Sequence, residues 1–431
     1  VNLKMSVNEI PTIDRLTGPA DLTPDDRETL AADYARALRG WWPAPFGAYF
    51  RERYRIDPTA VYAGRTIDHP FGKGSGQLSM TPHQIRDSAE AGLAFVVLKT
   101  VIGEDATGAR SMGEWVTTDT RMVVEPIVGQ SGRSGWTVTW KGRGWGRSFE
   151  DYLDLCRESF GVMASSGMVV APSAKLHLPS ASDEPWRVDE YRHVLSHLGR
   201  VWSESGLAGP MPMEKDFSPT LAGDNRARSI ASVERWLSHI VPRLREAAKG
   251  PTCFGVKLMN FVGPVDVQRH LLSLCLEAGP ERRPDFLVYA NRLFDPAKTF
   301  EGRTGVAYGG PDLSDRNLAM LSNCREAVRA AGIEISATGD VDTGRTAVEY
   351  ALRGCSSVQI HTGFQVALEF PPDTTVSRLR RALARLVFHP EEGLVAWMLH
   401  AKKHWDATDE AGLTRWLDLP GHAPEAMRSG R

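Results

Sequence analysis

The stretch IEISATGDVDTGRTAVEYALRGCSSVQIHTG, Ile333 to Gly363, decides how the chain is read. Ile333 to Ala337 is a short β-type run, and Thr338-Gly339-Asp340 breaks it. Asp342-Thr343-Gly344 then opens a helix in which Ala347, Tyr350 and Ala351 share one face. Gly354 stands where a helix C-terminal cap belongs, and Ser357 to Ile360 is a second strand. Strand, helix and strand in this order make a βαβ unit with parallel strands. Gly339 lets the backbone approach an anion, and the turn and the helix N-terminus offer it N–H groups. The same pattern also fits an ordinary βαβ unit without a ligand.

Upstream of this unit the alternation repeats. Thr81-Pro82 starts a helix that ends near Gly92, and the strand Leu93 to Thr100 follows. Helices are expected from about Phe149 to Met163, Val188 to Trp202, Ala227 to Ala248, Val265 to Leu276 and Asp315 to Ala330. Strands fall between them at MVVAPSAKL, Met211 to Phe217, CFGVKLM and FLVYAN, the last followed by a loop of roughly twenty residues. With a first strand placed near Val61, about eight strands alternate with helices, which predicts an α/β protein with a closed (β/α)8 TIM barrel. The barrel is expected over residues 59–370. Between 101 and 147 the rhythm breaks, and MVVEPIV and WTVTW flank GQSGRSG as an inserted β-hairpin.

Residues 1–58 read as a helical extension, opened by Thr23-Pro24-Asp25-Asp26, with Leu30, Tyr34 and Leu38 on one face. An aromatic cluster follows from Trp41 to Phe50; it fits a segment packed on the barrel or one that contacts a membrane. Residues 371–431 read as a C-terminal helical segment interrupted at Pro390.

The 431 residues are 42% hydrophobic and 24% charged, an ordinary globular balance. Lys and Arg number 51 against 53 Asp and Glu, so the net charge of −2 favours neither nucleic acid nor a membrane surface as a partner. No stretch reaches the roughly 18 apolar residues of a membrane span. Cys156, Cys253, Cys275, Cys324 and Cys355 are scattered and odd in number, against a disulfide framework, a zinc site or a cysteine-ligated cluster. No metal is expected, a reducing cytoplasmic setting fits, and a homo-oligomer is compatible with the chain.

In such a barrel the chemistry sits at the C-terminal ends of the strands. The polar residues there are Lys99 and Thr100 on the second strand, Lys215 to Thr220 after the fourth and Lys257 on the fifth. Asn291 and Arg292 follow the sixth, and Gln359 to Thr362 the eighth. A lysine inside an apolar strand is costly to bury alone; either one singly also fits an ion pair at the barrel rim, and Lys99 and Lys257 together point to an anionic ligand.

In GSGQLSMTPHQIRDSAEAGLAFVVLKT, GVKL, VYANR, YGGPDLSDRNL and the opening stretch, the chain resembles the dihydroorotate dehydrogenase family of FMN-dependent barrel enzymes over about residues 61–365. The resemblance implies FMN as cofactor, with Lys99 facing flavin and substrate and Lys257 at the flavin N1/O2 edge. It places Gly309, Gly310, Thr338, Gly339, Asp340, His361 and Thr362 around the flavin phosphate, and Asn291 on the substrate. Ser218, in Phe217-Ser218-Pro219-Thr220, takes the place of the catalytic base; the same residues also fit a plain Ser-Pro turn. The reaction implied is oxidation or reduction of a carbon–carbon bond beside a carbonyl.

The departures are specific. Asp340 stands where the family has the second of two glycines, and His361 where it has a glycine. An Asp beside a phosphate is repulsive unless its side chain turns away. Lys215 and Thr220 replace amide-reading asparagines, and Lys141 and Arg143 lie in the loop where a third would be. Lysine and arginine bring only donors and charge. The expected substrate is therefore a small anionic molecule other than dihydroorotate. A flavin-free lyase or isomerase acting on a phosphorylated molecule, and a non-catalytic flavin-binding barrel, are the rival readings. The flavin barrels that act on transfer RNA carry a basic appendage, and none is evident here.

Overall fold

The computed structural model describes residues 13–116, 122–140, 144–217, 230–300, 303–366 and 375–422. Eight strands form the barrel: β1 (Phe71–Lys73), β2 (Phe95–Val97, resuming at Val101–Ile102), β3 (Val169–Ala171, resuming at Ser173–Lys175) and β4 (Met211–Asp216). They continue as β5 (Thr252–Lys257), β6 (Phe286–Tyr289), β7 (Glu334–Thr338) and β8 (Ser357–Ile360). Every neighbouring pair is parallel, and β8 returns to pair with β1 through Ile360 and Lys73, closing the barrel. Pro172, which has no N–H for the ladder, splits β3 into its two parts.

The crossover helices form where the sequence has caps. Thr81 accepts from the Gln84 N–H, Gln84 reaches back to the Thr81 N–H, and Pro82 stands in the first turn of the helix Pro82–Glu90. Ser148 and Asp151 close the same box on the helix Phe149–Ser166, which ends at Gly167 with φ 76°. The helix after β6 is broken into Pro311–Asn323 and Arg325–Ala331 rather than continuous from Asp315.

Two expectations need correction. The segment near Val61 is not a barrel strand: Ala60–Tyr62 pairs antiparallel with Arg65–Ile67 in a hairpin turned at Ala63 and Gly64, both at positive φ. Tyr62 stacks on Phe95 with ring centroids 3.9 Å apart, and Glu334 at the start of β7 accepts the Gly64 N–H at 2.8 Å, so the hairpin plugs the N-terminal mouth. The first strand is the three-residue Phe71–Lys73, where Gly72 is needed because a Cβ there would lie 2.4 Å from the Phe95 ring. The span after β6 is not a bare loop either; Leu293–Phe300 and Arg303–Tyr308 form an antiparallel pair.

The inserted hairpin, Met122–Val128 with Ser134–Trp140, is present and leans over the C-terminal mouth, where Arg292 donates to the Val138 carbonyl at 3.2 Å. The helix Pro24–Ala37 starts at the Thr23 cap. The aromatic segment packs inward: Phe46 meets Phe50 at 4.5 Å, and Phe50 stacks on Phe388 of the helix Arg378–Phe388 at 5.4 Å. Among the described residues no helix is long and apolar enough to cross a membrane.

Candidate active site

Side chains alternate along a strand, so β4 sends Glu214 and Asp216 into the barrel. Asp216 is the register partner of Lys257 on β5. The Lys257 Nζ lies 3.5 Å from a Glu214 oxygen and 3.3 Å from the Gln359 amide oxygen. Glu214 also accepts from the Tyr62 hydroxyl at 2.8 Å and from the Gln359 amide. A buried lysine is thus held by a buried carboxylate, the arrangement that makes its burial tolerable.

One layer higher lie Lys99, Asp216 and Arg292, all buried. Burial lowers the Lys99 ammonium to about 8, with Arg292 and Lys257 acting the same way and Asp216 opposing. Burial likewise lowers the Arg292 guanidinium to about 9 against the pull of Asp216. Thr100 bridges this layer to the strand ends, its hydroxyl 3.3 Å from Asp216, 3.0 Å from Ser75 and 2.9 Å from Ser173.

The β7 end differs. Gly339 has φ 120° and Asp340 φ 53°, a turn that suits glycine and tolerates aspartate. The turn is fixed by Asn317, which donates to the Thr338 carbonyl at 2.8 Å, and by the Tyr350 hydroxyl on the Gly339 carbonyl at 2.9 Å. The Asp340 carboxylate, 7% exposed, accepts from Ser314 at 3.0 Å and from Arg133 of the hairpin at 3.3 Å. Burial pushes its carboxyl up to about 7, with Asp342 adding to this and Arg133, Ser314 and Arg15 opposing.

His361 follows β8. Burial first, then Lys99, Arg292, Lys73 and Lys257, lower its imidazole to about 3, so it is neutral at physiological pH. Its Nε2 is shut off from solvent and has no hydrogen-bond partner among the described residues. Gly76 makes room for it, since a Cβ there would stand 1.9 Å from that nitrogen.

Lys99, Lys257, Asn291, Gly309, Gly310, Thr338, Gly339, Asp340, His361 and Thr362 line one cleft at the C-terminal mouth. Its free space, open mouth and solvent included, is about 1070 Å³. Lys215 does not belong to it. Strand parity turns it outward, where it is fully buried over the Phe217 ring at 4.6 Å, and burial with Lys175 nearby lowers it to about 7. Ser218, Thr220, Lys141 and Arg143 lie outside the described residues. From the sequence, Asp216, Gln359 and Arg292 stand out only by their places at strand ends, and Arg133 and Trp136 do not stand out at all. Asp216 closes β4 in register with Lys257, a pairing that the structure shows and the local sequence pattern does not.

At the Lys257 end the ammonium donors of Lys257 and Lys99 suit an electron-rich ring edge such as that of the flavin the resemblance implies. The β7 end, where the resemblance puts the phosphate, carries Asp340 and Asp342 instead.

Fold and cleft together define an α/β-barrel with its polar site at the C-terminal mouth, the usual place for an enzyme's chemistry on this fold. No family model matches the chain, and no curated protein does. Among solved structures, the chain is similar to dihydroorotate dehydrogenase from Eimeria tenella, in a complex with ferulenol, with a TM-score of 0.53 and 13% identity. The likeness covers 93% of this chain and 96% of that one, and it is a likeness of fold.

Proposed function

We propose that the protein is a flavin-dependent oxidoreductase, with FMN the group the resemblance implies, acting on a carbon–carbon bond beside a carbonyl in a small anionic molecule. The observation that carries this reading is the meeting of two buried lysines from separate strands, Lys99 and Lys257, in one cleft of the right fold. Bound flavin would supply hydride acceptance or donation. Lys257, steadied by Glu214 and Gln359, would hold the ring's pyrimidine edge. Lys99 and Arg292 draw the substrate's negative charge into the buried layer, and Asn291 offers its amide to the carbonyl. Ser218, just beyond β4, is the residue assigned to move the proton at the carbon beside that carbonyl, with Thr220, Lys141 and Arg143 at the substrate face. The carboxylates at the β7 end weaken the rival reading of a phosphorylated substrate.

Purified protein should show flavin absorption bands, and colourless protein that takes up no flavin overturns the reading. Anaerobic mixing with dihydroorotate should bleach the flavin poorly or not at all. Ser218→Ala should keep flavin and fold while slowing reduction by the true substrate by about 10² to 10⁴ under single-turnover conditions.

A further inference from the structure

The β7 end of the cleft has two features that would ordinarily attract an anion: the N-terminus of the helix Pro311–Asn323 and the glycine turn at Gly339. The chain's own groups crowd both, Asp340 at the turn and the inserted hairpin at the helix start. The inserted hairpin lies across the helix start, where the Thr137 hydroxyl accepts the Gly309 N–H at 3.1 Å. The Gln130 N–H donates to Asp312 at 2.7 Å and the Ser131 hydroxyl to Asp315 at 2.8 Å, fastening the hairpin tip to the same helix. Space at the helix start is taken as well as the Gly309 donor. A Cβ on Gly310 would meet Ile127 at 2.7 Å and the Trp136 carbonyl oxygen at 3.2 Å, both of the hairpin. A Cβ on Gly135 would meet Pro311 at 2.8 Å and an Asp340 oxygen at 3.3 Å.

The cations at this end have carboxylates already. Arg133 lies 3.0 Å from Asp315 and 3.3 Å from Asp340. Arg15 lies 2.7 Å from Asp315 and 2.7 Å from Glu349. Asp342 adds a further carboxylate at the rim of the cleft.

We propose that the phosphate end of the cleft is closed by the chain's own Asp340 and inserted hairpin, so that the protein binds flavins by ring and side chain, irrespective of a terminal phosphate. Asp340 is then a specificity-determining residue, and riboflavin is as good a ligand as FMN. The inference rests on the flavin reading above. Its physical ground is repulsion: a phosphate dianion brought to this turn meets a carboxylate that already fills the place of an anion. Burial and then Asp342 disfavour the charge on Asp340 itself, against the pull of Arg133, Ser314 and Arg15.

The test is a titration of the full chain, stripped of bound flavin, with FMN and separately with riboflavin at pH 8, read by quenching of flavin fluorescence. The two dissociation constants should agree within about threefold, since the phosphate adds no favourable contact. Asp340→Gly suits the positive φ and removes the carboxylate; it should tighten FMN by about tenfold or more and leave riboflavin unchanged. Asp340→Asn keeps the shape and removes the charge, and should give a smaller gain for FMN. Unaltered protein that binds FMN tenfold or more tighter than riboflavin overturns the inference and leaves the flavin reading standing. Asp340 variants that do not change FMN binding also overturn it. If neither flavin binds, both readings fall.

Discussion

Toward β2, β5 and β6 the cleft sets Lys99, Lys257 and Arg292 against Asp216, with Glu214 on Lys257; toward β7 it presents Asp340 and Asp342, and the ion pairs of Arg133 and Arg15 with Asp340, Asp315 and Glu349 adjoin it. Burial acts on both ends and drives the groups in opposite directions. It lowers Lys99 and Arg292 at the first and raises Asp340 at the second. In each case the charged form in excess is disfavoured, and a ligand of opposite sign would relieve it. The first end therefore asks for negative charge and the second resists it. A flavin's electron-rich ring edge and an anionic substrate both belong at the first.

The largest effect should come from breaking the first end. Lys257→Met leaves Glu214 buried without its cation, a defect worth about 3–5 kcal/mol of stability. The variant should also lose its flavin. Adding Glu214→Gln should restore most of the stability and none of the flavin binding. Urea unfolding of the stripped protein and the visible spectrum separate the two effects. A double variant that keeps wild-type flavin binding would reduce Lys257 to a core ion pair.

At the second end the readout is pH. Asp340 titrates at about 7 in the folded protein against an ordinary 3.8. Between those values the folded protein holds a proton that the unfolded chain has given up, so stability falls as pH rises through that window. Asp340→Asn should match the wild type near the lower bound and exceed it by roughly 2–4 kcal/mol above the upper one. Denaturation midpoints across the range test this. Parallel pH profiles for the two proteins would mean that Asp340 is charged and well paired throughout, and the contrast between the ends would disappear.

Much of the first end was legible in the sequence and little of the second. Lys99 and Lys257 stand out because each interrupts an apolar run, and the run fixes which way the strand faces. Glu214, Lys215 and Asp216 are three charged residues in a row, so hydropathy gives β4 no phase. Only pairing with β5 shows that Lys215 points out and Asp216 in. The first barrel strand was missed because Phe71–Lys73 is short and has a glycine at its centre, while Val61 lies in a stronger β-type segment that forms the plug. The Arg133–Asp340 contact joins residues 207 apart in the chain. GQSGRSG reads as a loop tip from its glycines, and no local pattern says where the tip lands. The pair Leu293–Tyr308 escaped because Pro296 and Gly305 break its alternation.

The smallest effect is expected at Trp136, which belongs to the hairpin yet faces the cleft between the two ends. At 42% exposure its indole is one of three large apolar side chains left open to solvent among the described residues. An exposed ring contributes little to the fold, so Trp136→Ala should change stability by no more than about 0.5 kcal/mol. A flat ligand lying across the cleft would cover it, and an aromatic contact of that kind is worth about 0.5–1.5 kcal/mol. Flavin affinity should therefore drop by roughly three- to tenfold, equally for FMN and riboflavin, because the indole would meet the ring and not the phosphate. Titration of the stripped variant with both flavins gives the answer. An unchanged affinity would place Trp136 wholly with the β7 end, as part of the hairpin's closure. A loss confined to FMN would mean that the hairpin side does read the phosphate, and the division of labour between the ends would have to be redrawn.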